Sequence, residues 1–301
     1  MRDLALAMAA VLCMCPAFAH ADEVHDALEA YALYQTDVSA LLGADIEGAR
    51  DVDAALARIS RHNPERVARG WIAYGALTAA QSPAFAEGVQ RTLRRDGRRE
   101  TLTQLRTDLY FARREAAGSP HAVRLILGAA NADSARIDLA GDRYNRFARS
   151  SGAPGARGGD GALERSVRLS PAMRDRLRVT PVSARPMNEV EAFGGRGFWD
   201  SLSGREGAAP RVRNSREERE YASVTDHMLT LAAIVVADAT GSERRRVSSL
   251  LDEPLTQQCM TMQRLQLRQC LSVSVDGSER AYCLAHHGLS GPGGCFSNVV
   301  R

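Results

Sequence analysis

Three times between Asp22 and Arg149 a helix-capping residue is followed at once by proline: Asn63-Pro64, Ser82-Pro83 and Ser119-Pro120. The cap's side-chain oxygen takes a free N–H of the first turn, and proline at the first helical position forfeits no hydrogen bond. Such pairs open helices, and the apolar spacing behind each one continues them. Val67, Trp71, Tyr74 and Thr78 form one stripe, Phe85, Val89 and Leu93 a second, and Val123, Leu127 and Ala130 a third. Leu102, Leu105, Leu109, Ala112 and Ala116 step 3-4-3-4 along a single helical face. Ile137, Tyr144, Phe147 and Ala148 add a last helix before Arg149. Aromatic residues are only 5% of the chain, so alanine and leucine carry the apolar load. That favours helices packed through small side chains over a sheet of β-branched and aromatic residues. The starts are unevenly spaced, which argues against a solenoid repeat.

Composition changes at Ser150. Ser151-Gly152-Ala153-Pro154-Gly155 is followed by Gly158, Gly159 and Gly161, a connector composition. Ser170-Pro171 can open a short helix, but residues 179–214 carry Pro181, Pro186, Pro210 and little periodicity. Helix returns at Ser215-Arg216-Glu217-Glu218, a capping box. Tyr221, Val224, Met228, Leu231 and Val235 then share a face, and Gly241 is placed to close the helix. A second helix from Ser242 is interrupted near Pro254 and resumes to about Ser272, Asp276-Gly277 makes a turn, and a glycine- and cysteine-rich tail follows. The expected fold is all-α. An N-terminal helical array (22–149) is joined by an irregular Gly/Pro-rich connector (150–214) to a disulfide-stapled helical C-terminal segment (215–301). Both parts have apolar stripes that need burial, which points to one joint body.

Residues 1–21 read as a cleavable signal peptide. Leu4 to Cys15 form an apolar run, Pro16 breaks it, and Ala19-His20-Ala21 supplies the small–x–small pattern before Asp22-Glu23. The run is shorter than the roughly 20 apolar residues a membrane span requires, and Leu12 and Met14 precede Cys13 and Cys15 where lipid attachment wants small residues. Cleavage after Ala21 would deliver a periplasmic or secreted protein without a transmembrane segment.

Cys13 and Cys15 leave with the signal, so the mature chain holds Cys259, Cys270, Cys283 and Cys295. An even number in an exported protein implies two disulfides. Cys259 and Cys270 lie eleven residues apart on a helix, about 16 Å at 1.5 Å per residue. Disulfide Cα atoms sit within about 7 Å of each other, so each must reach into the tail instead. A tail folding back after Asp276-Gly277 gives the nested pairing, Cys259 with Cys295 and Cys270 with Cys283; the crossed pairing fits the turn less well. A zinc site using His286 and His287 beside Cys283 is the rival, but the close cysteine pair of structural zinc sites is missing.

The chain contains no lysine, so all 39 basic residues are arginine, interspersed with 36 acidic ones for a net charge of +3. Arginine grips phosphate and carboxylate groups with paired hydrogen bonds. The plainer account is G/C-rich coding, which also enriches alanine and glycine. No broad basic face is evident, which speaks against a nucleic-acid partner. The runs Arg94-Arg95, Arg98-Arg99 and Arg244-Arg245-Arg246, with Arg280 and His287, read first as solvated surface and second as contacts to an anionic envelope polymer.

Catalytic signatures are weak. Asp226-His227 are adjacent on a helix and so point about 100° apart, which reads as a surface pair. Glu217, Glu218 and Glu220 could supply a general acid for glycan cleavage, but capping explains them at a helix start. Gly-x-Ser-x-Gly and His-Glu-x-x-His are absent; Ser-x-x-Lys and the phosphate loop fail for want of lysine. No cofactor is implied. Phe193, Phe198 and Trp199, set among glycines with Leu202 nearby, form an apolar anchor for the protein's own core or for a partner such as another envelope protein. The expectation is an exported, non-enzymatic binding or structural envelope component, with a cell-wall (peptidoglycan) hydrolase using a glutamate acid as the alternative and metal binding through the tail as a third.

Overall fold

The computed structural model describes residues 23–151 and 222–297, and among them every regular element is a helix. The order is α1 Glu23–Gly43, α2 Ala49–Ser60, α3 Pro64–Ala80, α4 Pro83–Asp96, α5 Arg98–Thr107, α6 Phe111–Glu115 and α7 Ser119–Ser150. Then come α8 Ala222–Val236, α9 Arg244–Leu251, α10 Pro254–Val273, α11 Gly277–Cys283, a π-helical segment Leu284–Ser290, and α12 Gly291–Ser297. The capping box at Ser215, the helix start at Ser170-Pro171 and Tyr221 lie outside the described residues.

At the centre is α3, buried on nearly all sides through Val67, Trp71, Ile72, Tyr74 and a series of alanines and glycines. It touches α1, α7, α8 and α10, so helices from both halves of the chain share one core. Small residues let the backbones close in. A Cβ on Gly70 would strike the Ala27 carbonyl and Tyr31, and one on Gly75 would strike Met228. Asn63 and Ser82 cap as their sequence implies, accepting the N–H of Arg66 at 2.9 Å and of Phe85 at 3.3 Å.

Four features differ from the sequence reading. The face running from Leu102 to Ala116 is not one helix. Asp108 is extended and accepts the Tyr110 N–H at 2.8 Å, a local bond that competes with helix. The turn lets the Leu109 carbonyl accept Thr230 Oγ1 at 2.8 Å and brings α6 onto α8. Ser119 is the first residue of α7, not its cap. Gly118 holds that place in the left-handed region (φ 92°), pressed on the backbone of Ala84 and Phe85. Ser119 Oγ instead donates to the carbonyls of Ala112 and Ala116. The stripes around Val123 and Ile137 are one helix, the 32-residue α7.

The fourth is that α8 ends before Gly241. Asp238 takes the left-handed position (φ 51°), with Asp238 N–H on Val235 O at 2.9 Å and Ala239 N–H on Ile234 O at 3.1 Å, a Schellman closure. Asp276 is likewise more than a turn. It caps α11, accepting from Ser278 and Glu279 N–H.

Arginines finish several helices from outside. The last turn of α1 has no basic residue of its own. Buried Arg143 from α7 donates to the carbonyls of Leu41, Leu42 and Ala44 there. Arg98 donates to Ala237 and Asp238 carbonyls after α8, Arg246 to Leu105 in α5, and Arg264 to Ser60 at the end of α2. A planar fork with five donors suits a ring of orphan carbonyls, and its charge suits the negative end of the helix dipole. Arg246, half-buried, and Arg98, which is exposed as expected, are therefore also helix ties.

The tail is helical, and both disulfides bind it to α10. Cys259–Cys295 and Cys270–Cys283 have Cα separations of 5.7 and 5.6 Å, the nested pairing. Among the described residues no helix is long and apolar enough to cross a membrane.

Candidate functional site

The described residues hold four polar constellations and one exposed apolar surface. The first lies in the core, where α1 meets α7. Tyr31 donates to Asp133 Oδ2 at 2.5 Å, and Gln35 Nε2 donates to the Tyr31 hydroxyl at 2.7 Å. Arg136 closes the ring onto Asp133 Oδ1 at 2.7 Å and Gln35 Oε1 at 2.6 Å. Tyr74, Trp71 and Phe296 wall it in, their ring centroids 5.4 to 5.7 Å from that of Tyr31. Burial pushes the Asp133 carboxyl up, against the pull of Arg136 and the Tyr31 hydrogen bond. Burial, with Asp133 beside it, raises the Tyr31 hydroxyl as well. All four members are buried, so the network can join two helices but meets no solute unless the core opens. Its signal was legible in part: Ile126, Ala130, Asp133, Ile137, Ala140 and Tyr144 step 4-3-4-3-4, with a carboxylate inside an apolar stripe.

The second constellation sits where α1 meets the end of α2. Asp37, with a side chain only 2% exposed, receives His62 Nε2 at 2.5 Å, Arg61 at 2.7 Å and Arg58 at 3.0 Å. Burial alone would raise this carboxyl, but the hydrogen bonds from His62, Arg61 and Arg58 outweigh it and hold it below the usual range. A carboxylate on an imidazole is how hydrolytic sites orient a base. Among the described residues, however, no hydroxyl or thiol hydrogen-bonds to His62, and its near neighbour is the edge-on Tyr34 ring at 5.5 Å. Sequence reading had no handle on this cluster, because it gathers residues from two helices and the turn after α2.

Third, Ser82 Oγ lies 2.7 Å from His121 Nδ1, the contact a serine nucleophile would make. That same oxygen caps α4, and Ser82 is fully buried. The pair ties the start of α4 to the start of α7.

Fourth, Asp226 is fully buried rather than at the surface, and it pairs with Arg113, which also donates to Thr225 Oγ1 at 2.6 Å. Burial raises its carboxyl against the effect of Arg113 and His227, and Oδ2 has no hydrogen-bond partner. His227 is thus a neighbour of an ion pair, not half of a dyad.

In the tail, Cys283 is consumed by its bridge to Cys270, so it offers no thiolate beside His286 and His287. His286 packs on Tyr282 with centroids 4.2 Å apart. Burial lowers both imidazoles, with the neighbouring cations adding to the effect at His286. Arg280 pairs with Asp53 at 2.7 Å, and Arg95 with Asp96 and Glu115. Among the described residues no group of three or more His, Cys, Asp or Glu side chains could hold a metal ion. Phe193, Phe198, Trp199 and the glutamates at 217, 218 and 220 lie outside the described residues.

The surface is the outward side of α10. Met260 and Leu267 face the core, while Leu255, Met262 and Leu265 on the opposite side are 45 to 47% exposed, and Val273 is 77% exposed. The sequence places this helix but not its exposed side, because its apolar residues surround it instead of marking one face.

No family model matches the chain, and no curated protein or solved structure matches it either.

Proposed function

We propose that the chain is an exported, non-enzymatic binding or structural component of the cell envelope, periplasmic or on the surface, with α10 as its contact face. The observation that carries this reading is a division of labour among the side chains. The charged clusters are spent as ties between helices, whereas an apolar face stays exposed on a helix that both disulfides anchor. Two disulfides fit an oxidising compartment, and residues 1–21 have the pattern of a cleaved signal. Of the two partner classes, another envelope protein fits better than an anionic polymer. The half-exposed Arg58, Arg61, Arg95, Arg106 and Arg114 are already paired with carboxylates, and the exposed face of α10 is apolar.

The test is cell fractionation with N-terminal sequencing of the recovered protein. Recovery outside the cytoplasm with Asp22 as first residue and no free thiols supports the reading. Intact protein in the cytoplasm with four reactive thiols refutes it. A parallel incubation with cell wall addresses the hydrolase alternative: soluble fragments whose release stops in Glu217→Gln, Glu218→Gln or Glu220→Gln would overturn the non-enzymatic assignment.

A further inference from the structure

We propose that the native cross-links are reached by rearrangement, and that the chain has a maturation partner, a thiol-bearing disulfide isomerase. In the tail, α11, the π-helical segment and α12 follow one another without a break from Gly277 to Ser297 and lie against α10. Cys259 and Cys270 are eleven residues apart on one of these helical runs, and Cys283 and Cys295 twelve apart on the other. Either pair therefore stands roughly 15 Å apart, against the limit of about 7 Å for a disulfide. Only rungs between the two runs fit, and the two present have Cα separations of 5.7 and 5.6 Å.

An unfolded chain prefers the opposite choice. The chance of closing a loop falls with about the 3/2 power of its length. Pairing neighbours in sequence, Cys259 with Cys270 and Cys283 with Cys295, closes loops of eleven and twelve residues. The nested pairing closes one of 13 and then, with that bridge made, one of about 23. Before folding, the neighbour pairing is thus favoured about threefold. Folding comes too late to guide the choice, because the tail itself completes the core: Leu284, Leu289 and Phe296 are buried there, Phe296 against Tyr31 and Trp71. A chain exported N-terminus first also presents Cys259 and Cys270 before the other two.

The neighbour isomer is a trap. It cannot form α10, whose core contacts Met260 and Leu267 lie between the two sulfurs, and no thiol is left to undo it. A partner thiolate attacks Cys270 Sγ, which forms a mixed disulfide and releases Cys259 as thiolate. Cys259 attacks Cys295, forming the outer bridge and releasing Cys283. Cys283 attacks Cys270, forming the inner bridge and returning the partner thiolate. Two protein disulfides enter and two leave, so no oxidant is consumed. In the product Cys283 and Cys295 are buried, which shields one sulfur of each bridge from further exchange.

The experiment oxidises the purified, reduced mature chain with diamide, once in concentrated guanidinium chloride and once on transfer to native buffer, with free thiols blocked at intervals. Trypsin cuts after Arg264, Arg268 and Arg280 but nowhere between Cys283 and Cys295, so the neighbour isomer frees the tail peptide and the nested one keeps it joined to both others. Chymotrypsin, cutting after Leu289, separates nested from crossed. The neighbour isomer should exceed the nested one about threefold in guanidinium and should accumulate in native buffer. It should convert to the nested form only when reduced glutathione or reduced protein disulfide isomerase is supplied. The double variant Cys259→Ser, Cys295→Ser keeps only the inner pair and should close it with or without added thiol. A chain that goes straight to the nested pairing in native buffer overturns the proposal, as does a neighbour isomer that rearranges with no thiol present. A double variant that still needs thiol overturns it as well. The chain is tested in isolation, so failure here is distinguishable from failure of the export reading, which fractionation measures.

Discussion

Replacing both cysteines of one bridge by serine tests whether the disulfides act by limiting the unfolded chain. The inner bridge, Cys270–Cys283, spans 13 residues and the outer, Cys259–Cys295, spans 36. Loop-closure entropy for 13 residues corresponds to about 2.9 kcal/mol at 25 °C. The outer bridge in isolation would contribute about 3.8 kcal/mol. With the inner bridge intact, however, its effective loop is only the difference between the two spans, about 23 residues, or about 3.4 kcal/mol. By the same cycle the inner bridge, with the outer one intact, contributes about 2.5 kcal/mol, so the outer variant should lose about 1 kcal/mol more than the inner, and Tm should fall by about 5–14 °C for a body of this size. Urea unfolding under non-reducing conditions measures this, and m should rise in both variants because the freed denatured chain exposes more surface. A loss below about 1 kcal/mol in either variant would refute the entropic account. Peptide mapping that finds Cys259 joined to Cys283 would refute the nested pairing itself.

Arg143→Met should cost about 3 kcal/mol in urea titrations with m unchanged, because it strands buried carbonyls at the end of α1; Arg143→Lys should recover little, lacking the fork. Gly70→Ala should lose about 1–3 kcal/mol through collision with the Ala27 carbonyl despite its better helix propensity, whereas Gly43→Ala, with open space around it, should stay within about 0.5 kcal/mol. Asp37 has a depressed carboxyl, so its contribution is present above the unfolded value of about 3.9 and is lost as pH falls through the lower folded value. Asp37→Asn should thus be about 2 kcal/mol less stable at pH 7, with the gap to wild type closing as pH drops below about 4. A gap constant from pH 7 to pH 2 would show that His62, Arg58 and Arg61 do not hold the charge.

What could be read from residue order alone was what local chemistry decides. Asn63 and Ser82 cap because a short polar side chain before proline has few better uses, and the structure shows both bonds. Rise per residue excluded a bridge between Cys259 and Cys270, and the Asp276-Gly277 turn favoured the nested pairing over the crossed one, which the structure shows. Where local and tertiary demands competed, order alone was insufficient. The Leu102–Ala116 stripe looks continuous, yet Asp108 opens a turn that Thr230, more than a hundred residues away, stabilises. Gly118 took the cap of α7 from Ser119 because the backbone of Ala84 leaves no room for a Cβ. The arginine ties, Arg143 above all, were invisible because a helix end shows its unpaired carbonyls but not which distant side chain will reach them. Caps and spacings are set within one turn of chain; the polar clusters and the exposed face of α10 exist only once helices are packed, since burial is a property of the assembled body.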